Sequence, residues 1–115
     1  MANTFKVVTK AGVTSEDTIY TVASSTTTVI LGLVLGNTTS SQTTATVTLS
    51  SDTANRAGAN NENNQDVELI TNAPIPSGSS LELLSGNKVV LETTDIIKVT
   101  ASAATDVCLS IMEIT

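Results

Sequence analysis

Thr, Val and Ile recur at alternating positions along nearly the whole of this 115-residue chain, in short runs closed by Gly, Asn, Pro or Ser. That pattern leaves few choices of fold. β-Branched side chains pack well on a pleated, half-buried surface and lose rotamer freedom in a helix. No segment shows a sustained apolar period of 3.6 with caps, so a helical reading fails. Runs with strand character are Thr4–Thr9, Thr18–Val22, Thr27–Leu35, Ala45–Ser50, Asp66–Thr71, Ser80–Leu84, Lys88–Glu92, Ile96–Ala101 and Asp106–Ile114. Their even spacing predicts an all-β, antiparallel β-sandwich of about eight to nine strands, jelly-roll or Ig-like, as one domain over residues 1–115.

Individual runs carry finer expectations. Thr27–Leu35 is apolar on both faces, which predicts a central strand covered on both sides. Ala45–Ser50 alternates cleanly, which predicts one dry and one wet face. The polar stretch Asn37–Gln42 reads as an antiparallel connection, and Ser85-Gly86-Asn87 as a tight hairpin. Further turns fall at Pro74–Gly78 and Thr93–Asp95. Residues 51–65 have almost nothing to bury and read as a long exposed loop.

Composition narrows the chemistry. The chain has no His and no Trp, one Cys, and about three residues in ten that are Thr or Ser. His is the usual proton-transfer group near neutral pH and a common metal ligand, and its absence removes both roles together. Aromatics amount to 2%, Phe5 and Tyr20, so the core must be aliphatic and added burial from a partner subunit is expected. The net charge is −6, with the five bases Lys6, Lys10, Arg56, Lys88 and Lys98 scattered, which argues against a nucleic-acid partner. The longest apolar run, Val29–Leu35, is far too short to cross a bilayer, and no membrane partner is expected. No secretory pattern opens the sequence, and Cys108 has no second cysteine to pair with, which suits synthesis in a reducing cytosol.

Candidate reactive groups reduce to structural ones. Cys108 has no His to activate it and reads as a small packing residue. No Ser-x-x-Lys or Gly-x-Ser-x-Gly supplies a base for a hydroxyl nucleophile. The carboxylate pairs Glu16/Asp17 and Glu92/Asp95 read as solvated turn caps. Asp52, Glu62 and Asp66 with Asn60, Asn61, Asn63 and Asn64 offer oxygen ligands but lack the Asp-x-Asp-x-Asp-Gly spacing of a calcium loop. Asn37-Thr38-Thr39 fits the glycosylation tripeptide by chance. No catalytic, metal or cofactor site is expected.

Three segments resemble a family of small virion structural proteins of tailed bacteriophages, especially those of marine and cyanobacterial phages. They are Ala2–Lys6 followed by Thr18–Val22, then Thr26–Leu33 running into Asn37-Thr38-Thr39, and finally Ala73–Glu82 with Lys88–Val99. The resemblance implies a non-enzymatic component of the virion, assembled in the host bacterial cytoplasm. It would act as capsid decoration or cement, neck or collar, or tail accessory protein, in symmetric copies and in contact with other virion proteins. The exposed edges and the segment Met1–Thr9 are the expected contacts, and the Asp52–Gln65 loop is expected either to make a further contact or to point outward. The alternative is a host-recognition or glycan-binding sandwich on a phage fibre, which the scarcity of aromatics disfavours.

Overall fold

In a computed structural model, which describes residues 2–51, 65–84 and 88–115, the described residues form nine strands and no helix. They are β1 (Asn3–Val13), β2 (Asp17–Thr21), β3 (Thr27–Asn37), β4 (Thr43–Ser51), β5 (Gln65–Ile75), β6 (Ser80–Leu83), β7 (Val89–Leu91), β8 (Ile96–Ala101) and β9 (Thr105–Ile114). Every pairing is antiparallel. One sheet has the order β1-β9-β3-β6 with β7 also on β3, and the other has the order β2-β8-β4-β5. The all-β sandwich expected from the alternation is therefore present. Apart from β4 with β5, consecutive strands are not hydrogen-bonded to each other, and most cross between the sheets. This is the strand order of a jelly roll.

The core is aliphatic, as the composition requires. Ile30, Leu33 and Leu35 of β3, Leu109 and Ile111 of β9, Val47 of β4 and Ile97 and Val99 of β8 are almost wholly buried between the sheets. Burial of each such side chain contributes about 1.5–3 kcal/mol. In β4 the alternation holds through Ala45 and Val47 inward and Thr44 and Thr46 outward.

Several local expectations change. β1 extends to Val13, well beyond the six residues read from sequence, because it pairs with β9 along its length. β5 runs on through Ala73, Pro74 and Ile75, so the turn begins at Pro76. There the Ser79 amide donates to the Pro76 carbonyl at 3.1 Å, and Gly78 takes the positive φ (67°) this turn needs. β6 and β7 both run antiparallel to β3, at Leu33–Gly36 and Thr28–Ile30 respectively. They are two pieces of one edge line and cannot form a hairpin with each other. Residues 85–87 themselves, like the 52–64 part of the expected loop, lie outside the described residues.

Asn37–Gln42 joins strands of opposite sheets and is a corner, not a hairpin. Asn37 organises it. Its side-chain amide donates to the carbonyls of Ser41 (2.8 Å) and Ile75 (2.9 Å). Its Oδ1 accepts from the Thr39 amide (2.8 Å) and hydroxyl (2.7 Å). Asn37 is 4% exposed and its Nδ2 is engaged twice, so the tripeptide it begins offers no accessible glycosylation amide.

Candidate interaction surface

β3 shows why one face of the sandwich stands apart. Its inward residues are buried, but Val29 and Leu31 are half-buried and Val34 is exposed on the outer side. The expectation that both faces of this strand would be covered is therefore half right. The strand is central within its sheet, and its second apolar face is open. Neighbouring strands match it. Phe5 of β1 pairs with Met112 of β9, Met112 with Val29 of β3, and Val29 with Val90 of β7. These four residues make an apolar row across four strands, with Phe5 71% and Val90 56% exposed.

On the outer side of the other sheet, one paired row is Thr18, Lys98, Thr48 and Glu68, and the next is Thr21, Ile96, Ser50 and Asp66. Both outer faces are built from the same kind of strand, yet the wholly apolar row lies on the first and the other is mostly polar and charged. Among the described residues, four of the five exposed large hydrophobics (Phe5, Val7, Val34 and Val90) lie on the apolar face, while Val67 lies on the other sheet. The chain's one Phe is spent there, forgoing about 2 kcal/mol of core burial. Outward-facing Asp106 and Glu82, at the end of this face away from Phe5, are the charges on its paired positions.

At that same end the face dips. Thr9, Ala11, Val34, Gly36, Asp106 and Cys108 line an open, largely apolar depression of about 340 Å³. Asp106 Oδ1 accepts from the Gly12 amide at 2.9 Å, which closes the irregular end of β1. Cys108 is exposed here, because β9 points its even-numbered residues outward, so the reading of Cys108 as a packing residue is corrected.

The sheet edges carry features that oppose strand pairing. β1 places Lys6 and Lys10 along its length, and they reach Glu113 (2.7 Å) and Asp17 (3.8 Å). β5 carries Asp66, Glu68 and Pro74 and an irregular register near Asn72, whose φ is 49°. The opposite edges are the five-residue β2 and the interrupted line of β6 and β7.

Titratable groups gather at one place that the sequence did not reveal. Tyr20 of β2 donates to Glu113 Oε2 of β9 at 2.6 Å and lies 2.8 Å from the Thr28 hydroxyl of β3. With the phenol O–H directed at the carboxylate, the Thr28 hydroxyl is the donor to the Tyr20 oxygen. Lys6 completes the set on the other carboxylate oxygen. Burial first, and the Glu113 contact second, push the Tyr20 phenol up to about 12. Hydrogen bonds from Lys6 and then Tyr20 hold Glu113 below its ordinary carboxylate value. Neither group changes protonation near neutrality, so this cluster ties the two sheets and edge strand together.

Both shifts have signed consequences. The raised phenol contributes stability that is present below pH 10 and fades as pH rises toward about 12. The lowered Glu113 contributes stability above the usual carboxylate range, lost as pH falls through its folded value. The chain has one Tyr and no Trp, so phenolate absorbance reports Tyr20 alone. Native protein is expected to titrate near pH 12 and Glu113→Gln at lower pH; an ordinary value of about 10 in the native protein would contradict the contact.

Other candidates from the sequence resolve as structure. Asp17 pairs with Lys10, whereas Glu16 is exposed. Asp95 is fully buried, not solvated: its Oδ2 accepts from the Glu92 amide at 3.0 Å and caps the Glu92–Asp95 turn. Asp66 is exposed on β5, while Asp52, Asn60, Asn61, Glu62, Asn63 and Asn64 lie outside the described residues. Among the described residues no three His, Cys, Asp or Glu side chains come together as metal ligands. No helix among them is long and apolar enough to cross a membrane. No family model, curated protein or solved structure matches the chain.

Proposed function

We propose that this protein is a non-enzymatic structural component of a tailed-bacteriophage virion, docking in symmetric copies through the apolar outer face of the β1-β9-β3-β6/β7 sheet. The observation that carries the docking half of this reading is the row Phe5–Met112–Val29–Val90. A sandwich that leaves Phe5 and Val90 exposed at the ends of such a row, while an outer row of the other sheet is Thr, Lys, Thr and Glu, has a face suited to being covered. Face contact is favoured over edge pairing, because the edges carry Lys, Pro, acids and register breaks. The virion half rests on the resemblance of Ala73–Glu82 and Lys88–Val99 to phage structural proteins, and jelly rolls are a recurrent architecture of viral capsid domains. Decoration of the capsid, the neck or the tail are the positions such a module would take.

The test is direct detection. Mass spectrometry of gradient-purified particles is expected to find the chain in fixed proportion to the major virion proteins. Its absence from intact particles, or glycan binding by the purified protein with no particle association, would overturn the proposal.

A further inference from the structure

The apolar face carries a knob and a hole of matching character, separated along the strands. Phe5 is the knob, and the depression beside Val34, Gly36 and Cys108 is the hole. On β1, Thr9 at the hole's rim lies four residues from Phe5, a separation of about 13 Å along the strand. A cavity of about 150 Å³ is enough for a benzene ring, so about 340 Å³ leaves ample room for a phenyl group. We infer that two copies of this chain stack face to face about a twofold axis lying in the interface and perpendicular to the strands, each Phe5 entering the depression of the other copy. The inference rests on reading this face as an assembly surface and names its partner as a second copy.

The symmetry follows from the placement. A twofold in that direction reverses the strands, so β1 faces β1 and the Phe5 end of one copy meets the depression of the other. The contact is isologous and closes on itself. A twofold along the strands would instead gather Asp106 and Glu82 of both copies at one end, setting four acids together. The reversed arrangement sets the acids of each copy at the Phe5 end of its partner. The area is sufficient: four strands over about eight residues give a patch of roughly 19 by 26 Å, about 500 Å² per copy and about 1,000 Å² in all. That is near the lower bound for a specific interface, which suits a dimer of moderate affinity.

Sedimentation equilibrium of the full chain tests this, with two variants that leave the fold intact. Phe5→Asp removes an exposed knob. Gly36→Leu fills the hole from within, and the substitution has room to start, since a Cβ at Gly36 has no atom of its own subunit within 4 Å. Unmodified protein is expected to dimerise at about 100 µM or below, more tightly as salt screens the −6 charge on each copy. Each variant is expected to raise the dissociation constant at least tenfold with an unchanged circular dichroism spectrum. A monomer at that concentration overturns the inference, and so does a dimer that neither variant weakens. If the protein is monomeric but Phe5→Asp still abolishes its incorporation into particles, the self-contact fails and the assembly reading stands. If the dimer behaves as described in solution but the chain is absent from particles, the self-contact stands and the virion reading fails.

Discussion

Asn37→Asp is expected to lower the unfolding free energy by about 3 kcal/mol at neutral pH, although the two side chains have nearly the same shape. The amide donates to the Ser41 and Ile75 carbonyls, and a carboxylate has nothing to donate. The exchange leaves two acceptors unsatisfied and sets a negative charge against both of them in a site that is 4% exposed. The Thr39 contacts to Oδ1 survive, since they require only an acceptor. Protonation restores one donor, so the deficit relative to the parent protein shrinks as pH falls below the carboxylate range. Urea unfolding of both proteins at two pH values measures this. A difference within about 0.5 kcal/mol at neutral pH would mean that the corner is not organised by this side chain.

The second large effect contrasts the two faces of one sheet. Leu109→Ala is expected to cost about 3 kcal/mol, because Leu109 is fully buried in β9 between β1 and β3 and its removal leaves a cavity. For a domain of this size the melting temperature falls by roughly 10 °C. Phe5→Ala, although it deletes a larger side chain, is expected to change monomer stability by less than about 0.5 kcal/mol, because Phe5 is 71% exposed. Thermal melts at low protein concentration, where no partner contributes, compare the two. A Phe5→Ala loss approaching that of Leu109→Ala would show that the ring stabilises its own subunit and is not held ready for a neighbour.

The architecture was legible because alternation is a local property. Ile96–Ala101 is β8 as read, and Ala45 and Val47 fell on the buried side as their spacing requires. Pairing was not legible. Whether a polar stretch is a hairpin or a corner depends on the sheet the next strand joins, which local composition does not encode: Asn37–Gln42, read as an antiparallel connection, links opposite sheets, and β6 and β7, read as the arms of a hairpin, both pair with β3. The candidate surface was half visible. Val29, Leu31 and Val34 declared a second apolar face on β3, but their alignment with Phe5, Met112 and Val90 is a matter of register between distant segments. The Tyr20–Glu113 contact spans 93 residues of chain and leaves no local trace.

The central claim is that the open face of the β1-β9-β3-β6/β7 sheet exists to be covered. Particle occupancy of the chain carrying Phe5→Asp and Val90→Lys together tests it most directly, with circular dichroism and melting temperature of the purified variant as the control for folding. Occupancy is expected to fall at least tenfold while the variant stays folded. Normal occupancy of a folded variant would contradict the account.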